Sequence, residues 1–265
     1  MAASVSLVSL TTMTVEQVRE WVANADSVTV FSGAGMSTAS GIPDYRGPQG
    51  SWTKDPDSAK YVDIDYYVRF PHIREESWRR RRAHPAWQVL PNEAHRAIVN
   101  LERRGTLNRI ITQNIDGLHQ AAGASPDKVL EVHGNLFGVV CLDCDYRTRM
   151  ENIFARLDAG EHDPQCPDCG GILKSTTIFF GQQLDTEVLE AAATAADTCD
   201  LLIAVGTSLT VFPAAGLVDV ALEAGARVVV CNAEPTQYDR RVDAVLRDEI
   251  VETLPRICGM ATEPE

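Results

Sequence analysis

Residues 28–47 read VTVFSGAGMSTASGIPDYRG, and this stretch constrains the fold more than any other. Val28, Thr29, Val30 and Phe31 are β-branched or aromatic, the composition of a buried strand. The strand runs into Gly33-Ala34-Gly35, where glycines permit a tight turn and close approach of backbone N–H groups to a ligand. Residues 36–40 then open a predicted helix. Strand, glycine turn and helix N-terminus together make an anion site, because free N–H groups and the helix dipole both favour negative charge. The match to G-x-G-x-x-G is partial, since Thr38 holds the third position, and an ordinary strand-to-helix turn reads the same way. Residues 40–47 add turn formers, Asp44, Tyr45 and Arg46, a mixture that suits a loop covering a bound ligand.

The same grammar recurs along the chain. Residues 14–24 carry Val15, Val18, Trp21 and Val22 at helical spacing, with Thr14 as N-cap. Residues 1–12 read as a loose lead-in. Residues 48–65 are turn-rich and predict a long mobile loop of the lid type. Residues 66–83 predict a helix whose Arg79–Arg82 run reads as a solvated face, and residues 91–104 predict another, stopped by Gly105. Strand 107–112 delivers Gln113, Asn114, Ile115 and Asp116 to its C-terminal end, and strand 128–132 ends at His133. Further strands are predicted at 176–180, 200–205 and 227–231, and helices at 188–196 and 214–224. The last two strands lead to Gly206-Thr207-Ser208 and to Asn232-Ala233-Glu234. Apolar strand, polar tip, then helix, repeated, specifies an α/β fold with a Rossmann-like, doubly wound parallel sheet. Polar residues at all these tips fit a nucleotide bound along that edge. His133 follows a buried strand, and a side chain that exchanges protons near neutral pH suits a general base there. A satisfied structural histidine is the alternative for that residue alone.

The seven cysteines add a second element. Cys141-x2-Cys144 and Cys166-x2-Cys169 are separated by 21 residues and can close a tetrahedron around Zn²⁺. Four protein ligands leave no open position, so the zinc is predicted to be structural; a redox pair is the competing reading. Cys199, Cys231 and Cys258 sit singly, and this usage argues against a disulfide framework. No apolar run approaches the about 18 residues of a membrane span, and residues 1–10 lack a basic region, so the expected compartment is the cytoplasm. The net charge of −13 repels nucleic-acid phosphates and suits a lysine-bearing protein partner.

Together GAGMSTASGIPDYRG, TQNIDGLH, His133-Gly134, the four-cysteine insert, IFFG, GTSL and CNAEPT stand in sirtuin order, and the chain resembles the sirtuin family of NAD⁺-dependent protein lysine deacylases over residues 27–254. The resemblance implies one catalytic domain over 14–265. Its large Rossmann-like part would span 14–47, 91–137 and 181–254. Its small domain would comprise a helical insert, 48–90, and a zinc module, 138–180, after a flexible N-terminus, 1–13. It implies NAD⁺ contacts from Gly33, Ala34, Gly35, Thr38, Asp44, Tyr45 and Arg46 at the glycine loop. Gln113, Ile115 and Asp116 would line the ribose and nicotinamide region, and Gly206, Thr207, Ser208, Asn232, Ala233 and Glu234 the adenosine half. His133 would be the general base, Asn114 and Asp116 would position ribose and water, and Ile178 and Phe180 would pair with substrate backbone as an added strand. The chain departs from the family at Tyr45, where Phe is usual, at Lys174-Ser175 in place of Arg-Pro, and at Gln182 in place of Glu. Desuccinylating members resemble one another in a Tyr-x-x-Arg pair; here Trp78-x-x-Arg81 lies near that place and Tyr66-x-x-Arg69 earlier. Neutral acyl groups, acetyl first, are therefore expected. ADP-ribosyl transfer to protein, NAD⁺ hydrolysis, deacylation of long-chain or acidic acyl groups, and a zinc-ribbon binding module are the rival readings. A monomer is compatible with the resemblance.

Overall fold

The computed structural model describes residues 13–260. The lead-in expected at 1–13 lies outside the described residues except for Met13, which packs against the core. Helix Val15–Asn24 follows, started by a capping box in which Thr14 and Gln17 satisfy each other's backbone N–H groups. The strands, in chain order, are β1 (Val28–Ser32), β2 (Leu107–Thr112), β3 (Val129–Glu131), β4 (Gly138–Cys141), β5 (Arg147–Arg149), β6 (Leu173–Ser175), β7 (Leu201–Val205), β8 (Arg227–Cys231) and β9 (Ala244–Leu246).

Six strands form a parallel sheet in the order β3-β2-β1-β7-β8-β9. The chain winds outward from β1 in one direction and then, from β7, in the other. The reversal lies between β1 and β7, the switch point where ligands bind in open sheets of this type. Every residue of β1 and β7 is buried, because helices cover both faces. Val28, Val30, Ile110 and Ile203 pack with Val18, Val22, Ile98 and Leu254 on one side. Phe31, Ile111, Leu202 and Val230 pack with Ala192, Ala196 and Val218 on the other.

A second, antiparallel sheet, β5-β4-β6, carries the small module. Its core joins Val139, Met150, Phe154 and Leu173 to Tyr67 and Trp78 from the helical insert, so the two insertions fold as one body. The Tyr67 hydroxyl donates to Leu173 O at 2.8 Å, and Arg74 pairs with Asp163 at 2.7 Å, fixing insert to module.

Several expectations are corrected. Residues 48–65 are not a loop without structure. They contain Ser51–Lys54 and the 3₁₀ helix Pro56–Val62, then lead into Ile64–Arg69, capped by Asp63. Such short turns carry too few residues to show a hydrophobic period. The helix expected at 66–83 is two, Ile64–Arg69 and Pro71–Arg82, because Pro71 lacks an N–H and can only begin a helix. Residues 176–180 are not a strand. The strand ends at Ser175; Thr176 N–H still reaches Gly138 O of β4 at 2.9 Å, and the backbone then bonds outside the sheet, Ile178 N–H to His133 O and Phe180 N–H to Val62 O, each at 2.8 Å. The helix after the glycine turn is 3₁₀ and begins two residues earlier, over Ala34–Ser40. The sequence reading also missed β4, β5, β9 and the C-terminal helix Ile250–Ile257, which contains Pro255.

The cysteine reading fits. The four Sγ atoms of Cys141, Cys144, Cys166 and Cys169 lie within 4.8 Å of one another, and the pairs 141/169 and 144/166 are 3.6 Å apart. The edge of a tetrahedron of thiolates around zinc is about 3.8 Å. Asp143 N–H points to Cys141 Sγ at 3.3 Å and Gly171 N–H to Cys169 Sγ at 3.4 Å, donors that stabilise thiolate charge. The four cysteines are thus positioned to bind a metal ion, as structural zinc requires, while Cys199, Cys231 and Cys258 are buried elsewhere. The purified protein should carry one zinc per cluster by elemental analysis. Removing it with a chelator, or by Cys144→Ser, should lower Tm by about 10 °C. A zinc-free protein with unchanged Tm would contradict the assignment.

Candidate active site

The turn after β1 is sewn to the tip of β7. Gly33 N–H donates to Val205 O at 3.0 Å and Gly35 N–H to Gly206 O at 2.8 Å. A Cβ at Gly33 would stand 2.8 Å from Gly206 O, and one at Gly35 2.9 Å from Gly206 Cα, so neither position accepts a side chain. The two glycines therefore spend their N–H groups on the sheet, and they are needed for close approach of backbone to backbone. The expectation that they offer free donors to an anion is corrected.

Between the two sheets lies a cavity of about 720 Å³. Its wall includes Gly33, Ala34, Asp44, Tyr45, Arg46, Gln113, Asn114, Ile115, Asp116 and His133 from the first half of the chain. Ile178, Phe180, Gly206, Thr207, Ser208, Asn232 and Glu234 complete it from the second. Gly35, Thr38 and Ala233 stand outside the wall. Gly35 is pressed on Gly206, Thr38 turns its hydroxyl to Gly35 O at 3.0 Å, and the Asn232 amide bonds to Glu234 O at 2.8 Å, bringing its two neighbours rather than Ala233 to the cavity.

His133 sits at the start of the loop after β3, two residues past Glu131. Its Nδ1 lies 3.2 Å from Gln113 O, a carbonyl that can only accept, so Nδ1 carries the proton and Nε2 is a bare base. Burial lowers its pKa below 6.5, against the upward pull of that carbonyl, which keeps the ring neutral at neutral pH. Gly134 holds φ +67°, with Thr176 O pressed against it, so the glycine serves the backbone turn behind the ring.

Around His133 the polar tips interlock. Asn114 Nδ2 donates to Gly33 O at 3.0 Å and to Ser37 Oγ at 3.2 Å. Ser37 in turn donates to Asp116 Oδ2 at 2.7 Å, and Leu118 N–H donates to Oδ1 at 3.0 Å. Burial raises the Asp116 pKa against those hydrogen bonds. Gln113 Nε2 donates to Thr207 Oγ1 at 2.8 Å and ties the β2 tip to the β7 tip. Asp44 accepts Gly47 N–H at 3.0 Å and so braces its own loop. Arg46 stacks on Trp52 at 4.6 Å and pairs with no carboxylate among the described residues. Trp52 also stacks between Tyr45 and Phe180, at 4.8 and 5.4 Å, and was not singled out from sequence.

Arg81 overturns the reading of its arginine run as a solvated face. Arg79 and Arg80 pair with Glu76, and Arg82 with Asp158, at the surface. Arg81 is 6% exposed and belongs to the buried face Ile73, Arg74, Ser77, Trp78, Arg81. That i, i+4, i+8 spacing was the available signal. Its Nη2 donates to Thr177 Oγ1 at 2.9 Å, its Nε has no partner, and burial pushes its pKa down to about 10. Lys174, where the family carries Arg, is also buried; it donates to Ser175 O and Thr177 O and is pushed down to about 7 by burial and then by Arg81.

Known proteins share this arrangement. A family profile described as the Sir2 family matches residues 33–213. The chain is 54% identical to NAD-dependent protein deacetylase 2 of Streptomyces coelicolor, over 87% of this chain and 95% of that protein. It is 39% identical to the NAD-dependent protein deacetylase of Rhodopseudomonas palustris, over 92% and 96%. A solved Sir2–p53 peptide–NAD⁺ complex superposes with a TM-score of 0.83 at 32% identity, over 93% of this chain and 98% of the other. The match spans the glycine turn, the cysteine cluster and the β7 tip, and the chain belongs to the Sir2 family.

Proposed function

We propose that this protein is an NAD⁺-dependent protein lysine deacylase acting first on acetyl groups. The observation that carries the reading is His133, a neutral imidazole with its bare Nε2 in a cavity lined by Asn114, Asp116 and the glycine turn. The named deacetylase relatives support it. NAD⁺, as co-substrate, supplies the ribose carbon that gives up nicotinamide and takes the acyl oxygen. Arg46, cationic and unpaired, would meet its pyrophosphate. Thr207, Ser208, Asn232 and Glu234 would hold the adenosine half. Gln113, Ile115 and the anchored Asn114 and Asp116 would fix ribose and nicotinamide, and the Tyr45–Trp52–Phe180 stack would keep water from the reacting carbon. His133 Nε2 then takes a ribose hydroxyl proton so that the oxygen can attack the acyl carbon.

The substrate would be an acyl-lysine of a protein, and the excess of 37 acidic over 24 basic residues suits a cationic partner rather than nucleic acid. Ile178 and Phe180 border its entry. Their N–H groups, and the Phe180 carbonyl to Ile64 N–H, are already bonded within the chain, so Phe180 would act through its ring, which is 42% exposed. We place the activity in the cytoplasm, because clustered thiols and three isolated buried ones suit a reducing compartment. One observation favours a second reading. A buried arginine with an unpartnered Nε in the cavity wall is a counter-ion for an acidic acyl group.

With NAD⁺ and acetyl-lysine peptide, mass spectrometry should show the peptide losing its acetyl group and nicotinamide appearing. Gain of ADP-ribose by the protein or peptide instead would favour the transferase reading. His133→Ala should lower kcat about a thousandfold; full activity in that variant would overturn the base assignment. Because the folded pKa of His133 is depressed, the acid limb of kcat/KM in the parent should fall below pH 6.5. The kcat/KM on acetyl-lysine should exceed that on succinyl-lysine. The reverse order, abolished by Arg81→Met, would establish the acidic-acyl reading.

A further inference from the structure

Two buried histidines behind the glycine turn take no part in the chemistry above. His95 lies in helix Glu93–Arg103 and His119 in the short helix Leu118–Ala121. Their exposures are 0% and 2%, and their ring centroids are 5.1 Å apart at an interplanar angle of 62°. Neither lines the cavity. Burial holds both rings neutral, pushing His95 down to about 4 and His119 well below its ordinary value.

A neutral imidazole has one donor nitrogen and one acceptor nitrogen. His95 Nδ1 lies 3.3 Å from Asn92 N–H and 3.0 Å from Asn92 Oδ1. That oxygen already accepts the Ala94 and His95 backbone N–H groups, which fill its two lone pairs, so Nδ1 takes the acceptor role toward Asn92 N–H and the His95 proton is on Nε2. His119 Nε2 lies 2.8 Å from Ser32 Oγ. Ser32 donates its own proton to Thr112 Oγ1 at 2.9 Å, so Ser32 Oγ is free to accept and His119 Nε2 is the donor. His119 Nδ1 is then a bare acceptor. One donor, His95 Nε2–H, and one acceptor, His119 Nδ1, are left, both buried and both without a partner. Leaving two complementary groups unpaired in one buried site is costly, and each is what the other lacks.

We infer that His95 Nε2–H donates to His119 Nδ1, directly or through one buried water, closing a hydrogen-bond relay whose donors all point from Asn92 toward Thr112, where Asn114 joins it. At one end, Asn92 Nδ2 donates to Met36 O at 3.0 Å and Ser40 Oγ at 3.1 Å, both in the helix after the glycine turn. At the other, Thr112 Oγ1 also accepts Asn114 N–H at 3.1 Å. Asn114 then returns to Gly33 and Ser37 through its amide. The relay makes a closed loop that holds the turn, its helix and the β2 tip in register. His95 and His119 are positioning residues, acting on the reacting site through Asn114. That role rests on the proposed place of Asn114 in the reaction, whereas the relay itself does not.

Nitrogen-detected NMR of ¹⁵N-histidine-labelled full-length protein without substrate tests the relay. Both rings should be Nε2–H tautomers, and His95→Phe should move the His119 Nδ1 resonance toward that of a free acceptor nitrogen. A Nδ1–H tautomer at His119, or a resonance unmoved by His95→Phe, would overturn it. The positioning role is read by kinetics. His119→Phe should lower kcat for nicotinamide release about tenfold with peptide KM within about twofold, and His119→Gln, which keeps an N–H toward Ser32, should recover most of it. Parent-level kcat in the Phe variant, or no recovery with Gln, would overturn positioning. A parent protein that releases no nicotinamide would refute the deacylase reading, while the tautomers would still decide the relay.

Discussion

The backbone contact between the glycine turn and the tip of β7 is the constraint on which the site depends. Two N–H groups, of Gly33 and Gly35, bond to Val205 O and Gly206 O, and there is no room for a Cβ at either glycine. Gly206 itself holds φ +61°, in the left-handed region that favours glycine. Three glycines from opposite sides of the topological switch thus bring the ends of β1 and β7 together. Gln113, bonded to Thr207, adds β2 to the same joint. Once these ends are fixed, His133, Asn114 and Asp116 face one volume because their strands are adjacent in the parallel sheet.

The opposite wall comes from a separate body. The helical insert and the cysteine module share one core through Tyr67 and Trp78, so the residues that close the cavity are held indirectly by the four-cysteine cluster. A metal far from the chemistry can therefore influence it through the shape of the wall. Phe179 shows the link: it packs edge-on against Tyr67 in that core, and its neighbours Ile178 and Phe180 line the cavity.

Charge is distributed unevenly in the cleft of an acidic protein. Arg46 and Arg81 reach the cavity without carboxylate partners among the described residues, while the neighbouring arginines of the same helix are all paired at the surface. Arg81, desolvated and without a carboxylate, is costly to bury, and such a group is retained where an anion arrives. The histidines are treated in the opposite way. His84, His95, His119 and His133 are all pushed toward the neutral form by burial, so at neutral pH each acts through the placement of one ring proton.

The strands at 107–112 and 227–231, the Thr14 cap and the two Cys-x-x-Cys pairs were legible in the amino-acid sequence, because each is written in residues close together along the chain. Local composition and spacing also placed the polar tips that become the cavity wall. They could not show that the turn glycines give their N–H groups to β7, since the acceptors lie about 170 residues further on. Nor could they show that Arg81 turns inward while Arg80 and Arg82 turn out, that residues 176–180 leave the sheet, or that His95 and His119 meet. Sequence determined which elements form and which chemistry they carry at their ends. Tertiary structure alone decided which of those groups keep a free donor, acceptor or charge, because that depends on partners brought near by folding.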